Sequence, residues 1–433
     1  MLSVCIILSS YSVGLINMNR HFPSPPVMKL FVFMGIVWAA CVGPFLSILI
    51  LKSFGATSSQ LGIFSAFCAV ITMVLQPVWG LISDKVRSPR RVLSFCLAVS
   101  TVFFSSLLLV KSLYIAAMLM IFDTIFRCGV VGLLDSHTLA EIKVTPGLQF
   151  SRIRMAASFS YGLLSLINSS AIHTWNVMAI IPISLGFALP AIFWGFFVAK
   201  GQWETSAIQT AALQTPVLQA AALQAGRNDP GVVPKAKPDL KKDIAILLRD
   251  KRYILLLAFV AFFALSVQPL FTFIIYYVTA VGGDYGHAPL IQGLRCVTEL
   301  ICFFFVSTLG KRLSSKTLML AGICFSLVYI MGLLFANTLF WLIVFHLIGS
   351  PGYVLILNGR MQYVNEITPE SVRSTSVTMM GACEIGLGSV IGNLIAGFVV
   401  GLYRTHVLTL VALAALFCAA AILAFIPGKG SKI

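Results

Sequence analysis

Twelve stretches of about twenty apolar residues, separated by short polar turns, govern what this chain can fold into. A helix needs about 20 apolar residues to cross the hydrocarbon core of a bilayer. Backbone in lipid must satisfy its own hydrogen bonds, so each stretch reads as a spanning helix. They run at about 28–53, 58–82, 92–110, 113–137, 151–172, 177–198, 253–280, 288–309, 317–335, 338–358, 372–398 and 407–426. Of the 433 residues 59% are hydrophobic and 10% charged. A soluble globule of this length cannot hide that much apolar surface.

The formal charge of +16 is distributed as topology, not as a nucleic-acid footprint. Lys52, Lys111 and Arg404 fall on one face, and Arg127 and Arg295 lie within helices. The remaining Lys and Arg, Arg360 among them, collect in turns on the opposite face. That asymmetry predicts a multi-pass protein of the bacterial inner (plasma) membrane with both termini cytoplasmic. An eleven-helix reading breaks the alternation. Residues 1–27 read as an N-terminal extension, because Leu2–Ile16 is apolar but too short to span. Residues 199–252 form a cytoplasmic central loop with an Ala/Gln/Leu-rich stretch, and residues 428–433 a C-terminal tail. The basic segment Lys235–Arg252 is expected to lie on anionic headgroups. The ten cysteines are single residues with no CxxC pair and no Cys/His cluster, so neither a metal site nor a disulfide framework is indicated.

An internal repeat divides the chain. Pro44-Phe45-Leu46-Ser47-Ile48-Leu49 resembles Pro269-Leu270-Phe271-Thr272-Phe273-Ile274. Val144-Thr145-Pro146 resembles Ile367-Thr368-Pro369, and Gly80 matches Gly310. The three pairs share an offset of about 225 residues. The fold class expected is an all-α membrane protein: 12 transmembrane helices in two pseudo-symmetric six-helix bundles, 28–198 and 253–427. Parallel halves of this kind suit a transporter with its site at the midplane between them.

Charges inside the membrane mark candidate sites, because each costs about 2.5–3.5 kcal/mol even on mild scales. Asp123 and Arg127 are one turn apart in the fourth helix, and so are Arg295 and Glu299 in the eighth. The pairs belong to opposite halves and are expected to face one cavity. Glu299 is the first candidate for proton coupling and Asp123 the second. Arg127 and Arg295 are candidates for holding the carboxylates ionised or receiving an anionic substrate group. Static salt bridges are the alternative for both pairs. Glu384, His346 and Trp38 complete the candidate substrate-binding set. Against Glu384 stands the Gly388–Gly392 spacing of its helix, a packing signature. Against His346 and Trp38 stand ordinary hydrogen-bonded or packing roles.

The stretch Gly80-Leu81-Ile82-Ser83-Asp84-Lys85 followed by Arg90-Arg91 resembles the signature between helices 2 and 3 of the major facilitator superfamily, although its turn is Arg87-Ser88-Pro89 where that family usually has Gly. Gly80, Asp84, Lys85, Arg90 and Arg91 are thereby the candidate gating motif, with Gly80 permitting tight helix packing. Pro44-Phe45, Gln60-Leu61-Gly62, Leu134-Asp135, Phe150-Ser151-Arg152-Ile153-Arg154 and Gly293 with Glu299-Leu300 resemble the branch of lactose-permease-like, phenylpropionate-type and nucleoside proton symporters. The resemblance implies the twelve-helix fold and proton-coupled uptake of an organic solute. Gly349 stands three after His346, where the lactose permease carries an acid, which argues against a galactoside.

No HExxH, GxSxG, GxxxxGK[ST] or acidic metal cluster occurs, so neither an enzyme nor direct nucleotide drive is expected. The expectation is a secondary transporter that needs no cofactor, working as a monomer in the lipid bilayer. Its partners are protons and a small-molecule substrate of sugar, nucleoside or aromatic acid class, not nucleic acid. The same carboxylate would equally serve a proton-coupled antiporter exporting drugs or metabolites.

Overall fold

A computed structural model describes residues 25–42, 45–86, 89–144, 150–198, 240–309, 313–369 and 372–427. Most of the N-terminal extension, most of the central loop, the C-terminal tail and the 87–88 turn of the gating motif lie outside the described residues, as do the side chains of Asp84 and Lys85. The first half holds α1 (Met28–Ser53), α2 (Ser58–Val86), α3 (Pro89–Ser106), α4 (Leu113–Val144), α5 (Phe150–Thr174) and α6 (Val177–Phe197). The second holds α7 (Lys251–Thr272), α8 (His287–Leu309), α9 (Ser315–Phe335), α10 (Leu339–Ile367), α11 (Met379–Tyr403) and α12 (Thr405–Phe425).

Among the described residues, 11 helices are long and apolar enough to cross a membrane. The twelfth, α5, is as long but richer in Ser and Asn, of which Ser165 and Asn168 are fully buried. Several helices outrun the apolar stretches. α10 continues to Ile367, well past the sequence-based end near 358, and α4 to Val144. Hydropathy marks the thickness of the hydrocarbon, whereas helical hydrogen bonding persists into water. A short amphipathic helix, Leu240–Arg249, leads into α7. It buries Leu247 and exposes Ile246 and Leu248, a pattern suited to a membrane surface.

The repeated proline motif explains why two helices break. Pro44 lacks the N–H that would close a hydrogen bond onto Ala40. The first segment of α1 stops at Val42, Phe45 takes a left-handed conformation (φ 43°, ψ 52°), and the helix resumes at Leu46 before widening into a π turn over Leu49–Ser53. In α7, Pro269 precedes a break at Phe273, after which Ile274–Ala280 continues the span. The two breaks occupy corresponding places in the two halves.

The halves are joined at the end remote from the basic turns. There the main apolar core runs unbroken from Ile48, Leu61 and Ile180 of the first half into Tyr277, Ile291 and Leu408 of the second. At the basic end the first half has its own core, around Phe33, Leu93, Leu134 and Ile153. The seam at the joined end is backbone against backbone. A Cβ on Gly62 of α2 would lie 2.7 Å from Gly397 Cα and 2.6 Å from Asn393 O of α11. Small residues at such crossings let helices approach closely in lipid. Because neither contact is with a flexible side chain, Gly62→Ala is expected to push α2 and α11 apart and raise deuterium uptake at 58–62 and 393–401. Unchanged exchange there would show that the seam does not hold the halves together.

Candidate functional site

Between the halves lies a chamber of about 410 Å³. Its first-half wall comes from Cys41 and the segment Phe45–Ile48 around the α1 break, with Arg127 of α4 and Tyr161 of α5. Its second-half wall is Phe271, Thr272 and Ile274 around the α7 break, with Gln292 of α8. The two broken helices thus meet across the chamber. Phe45 and Tyr161 are stacked, with ring centroids 6.1 Å apart. A non-glycine residue in left-handed backbone stores strain, and such residues cluster at functional sites.

Arg127 brings charge to this wall. Its Nη2 lies 2.6 Å from Asp123 Oδ1, and its Nε donates to Oδ2 at 2.8 Å. Its Nη1 donates to Ala40 O at 2.7 Å and Cys41 O at 3.2 Å. These are carbonyls of the last turn before the break, so the guanidinium caps that helix end while lining the chamber. Asp123 is sealed: none of its side chain is exposed, and Ser100 Oγ donates to Oδ1 at 2.6 Å. The side chain of Arg127 keeps 12% of its surface exposed.

In the second half Arg295 Nη2 lies 2.7 Å from Glu299 Oε1, with 11% and 13% of the two side chains exposed. The pair does not line the 410 Å³ chamber as expected. It is coupled to it through one ring. The Arg295 guanidinium sits 4.0 Å from the centroid of Phe271, whose side chain belongs to the chamber wall. Behind it a small enclosed void, also lined by Arg295 and Phe271, reaches His346, Tyr329 and Tyr353.

Sequence reasoning missed Arg360. It is not a residue of the basic turns but a buried one, 2.8 Å from Glu384. Its helix was cut short in the sequence-based map at the point where hydropathy fades. Glu384 opens a π-helical stretch, Glu384–Ile391, and the ring centroid of Tyr353 on α10 lies 5.6 Å from the Arg295 guanidinium. π turns recur at functional sites.

The other candidates sit elsewhere. His346 is buried, its Nδ1 2.9 Å from Leu342 O and its Nε2 3.0 Å from Tyr329 Oη. Trp38 packs on the first-half core. Trp79 donates to Ile125 O at 2.7 Å and ties α2 to α4. In the gating motif Arg90 is buried and donates to Gly195 O at 2.6 Å and Phe196 O at 3.1 Å, so it fastens α3 to α6 of its own half. Arg91 is exposed. Gly80 makes no tight crossing here: a Cβ there would meet nothing within 4 Å. Gly388 and Gly392 do pack closely, against Ala264 and Pro269 of α7.

Two helical halves, broken helices at their interface and a mid-membrane chamber with buried charge define a membrane transporter. The chain belongs to the MFS_1 like family, whose profile matches residues 27–412. It is 20% identical over 388 residues to the "Uncharacterized transporter YwbF" of Bacillus subtilis (strain 168), covering 89% of this chain and 88% of that one. Its fold is similar to the nucleoside transporter NupG, with TM-score 0.70 at 12% identity over 93% of this chain and 98% of that one. It is similar to a peptide transporter POT in complex with alafosfalin, with TM-score 0.71 at 14% identity over 98% and 99% of the chains. These relatives are transporters, and this chain is one too, not an enzyme.

Proposed function

We propose that the protein is a proton-coupled symporter of the inner membrane that takes up a small organic solute by alternating access, with both termini cytoplasmic. The observation that carries this reading is Phe271, one ring shared by the chamber wall and the Arg295–Glu299 pair. A solute in the chamber would meet the residue on which the guanidinium rests. Protonation of Glu299 removes the carboxylate that holds Arg295, so occupancy and protonation act on the same ring. Glu299 suits the proton carrier better than Asp123, because a fully sealed carboxylate has no water to exchange protons with.

A chamber of about 410 Å³ is within the usual range for small-molecule sites, roughly 300–1,000 Å³. Stacked Phe45 and Tyr161 offer faces to a flat ring, Ser47, Thr272 and Gln292 offer hydrogen bonds, and Arg127 offers a cation. This combination supports a nucleoside, sugar or aromatic acid as solute. The shared core at the joined end, with a separate first-half core at the basic end, supports a state open toward the cytoplasm. A thermal-shift screen over those solute classes identifies the ligand, since binding to the folded state alone raises stability. Labelled ligand should then accumulate in energised vesicles and fail to do so with a protonophore. Accumulation that ignores the protonophore would sink the proton-coupled reading.

A further inference from the structure

At the joined end, the turn between α7 and α8 brings together three side chains that lie far apart or unremarked in the sequence. The turn is made by Gly282, with φ +81°. It presents Asp284, whose Oδ2 lies 3.0 Å from Nδ1 of His173 on α5 of the opposite half. Its Oδ1 lies 2.8 Å from Nδ1 of His287 at the start of α8. The backbone N–H of Asp284 donates to His287 Nδ1 at 3.1 Å, and that of Gly286 to Asp284 Oδ1 at 2.9 Å. The His173 ring fits only because residue 286 is glycine: a Cβ there would lie 2.6 Å from His173 Nε2. One donor atom from each of the three residues lies within 4.8 Å of the others.

We propose that His173, Asp284 and His287 form a Zn²⁺-class metal site that bridges the two halves on the face remote from the basic turns. Two imidazole nitrogens and one carboxylate oxygen are the donor set of three-ligand zinc sites, which leave a fourth position to water. The side chains are 36%, 56% and 25% exposed for His173, Asp284 and His287, so that position opens to solvent. Hard cations such as Mg²⁺ demand oxygen ligands and are disfavoured by two imidazoles. With its proton on Nε2, His173 offers its Nδ1 lone pair directly, His287 offers its own once the metal displaces the Asp284 N–H that it accepts at 3.1 Å, and the carboxylate supplies the charge. A metal held this way fastens α5 to the α7–α8 turn. The inference stands on the fold alone and does not depend on the solute or on proton coupling.

The test is calorimetric titration of ZnCl₂ into the purified full chain, carrying no histidine tag, with MgCl₂ as control. Zn²⁺ should bind once and Mg²⁺ should not. His173→Gln, Asp284→Asn and His287→Gln should each weaken Zn²⁺ at least about tenfold, the scale that even outer-shell partners reach. Unchanged thermal melting of the metal-free variants confirms that they fold. In the wild type, Zn²⁺ should slow deuterium uptake both at 170–176 and at 281–287. Unaltered affinity in His173→Gln, or protection confined to 281–287, would overturn the bridge; equal binding of Mg²⁺ would overturn the metal class.

Discussion

Glu299→Gln is expected to lose accumulation of solute down the proton gradient while keeping exchange of internal for external solute. A charge moving through 100 mV is worth about 2.3 kcal/mol, enough for roughly 40-fold accumulation. With a permanently neutral side chain the ratio should fall to about one, since no proton is carried. Exchange needs only that the loaded protein alternates, and the amide imitates the protonated acid in shape. Counterflow in vesicles separates the two activities in one preparation. Phe271→Leu is the companion. It keeps the carboxylate but removes the ring between Arg295 and the chamber, and should let protons leak without solute. Wild-type accumulation in Glu299→Gln would exclude that residue as carrier.

The second large effect is expected at the first-half pair, and it is on stability. Removing one partner of a buried ion pair leaves an uncompensated charge, at a cost of about 3–5 kcal/mol. Arg127→Met should be the worse of the two single changes. It strands Asp123 and also takes the donor away from Ala40 O and Cys41 O at the end of the first α1 segment. Asp123→Asn keeps a hydrogen-bonding group for Ser100 and Arg127 and should cost less. In the double variant most of the loss caused by the stranded carboxylate should return, because replacing both charges removes the desolvation penalty. Detergent melting curves across the double-mutant cycle measure this. Additive losses would mean that the two groups do not stabilise each other.

The spans and both one-turn ion pairs were legible because they depend on periods: about twenty apolar residues per crossing, and four residues between partners on one helix face. The paired proline motifs were legible as a repeat, though not as the two lips of the chamber. What escaped depends on contact between distant segments. Arg360 looked like a topological charge until α10 proved longer than its apolar stretch and brought it to Glu384. His173 joins Asp284 and His287 only when the halves come together, so no spacing rule finds them. Gly80 looked like a packing glycine, yet close crossings occur at other glycines, among them Gly62, Gly388 and Gly392, whose neighbours lie in other helices.

The glycine seam between α2 and α11 bears on speed. Interleaved side chains would have to withdraw one by one, each through its own rotational barrier, before the halves could part. Smooth main-chain surfaces, Gly62 on Gly397, carry no such teeth. Parting must still separate the apolar core shared by the halves and break the polar ties around the rim, such as Ser59 Oγ to Gly397 O at 3.4 Å and the imidazole–carboxylate cluster. The glycine crossing itself thus adds no rotational barrier to a parting of the two halves.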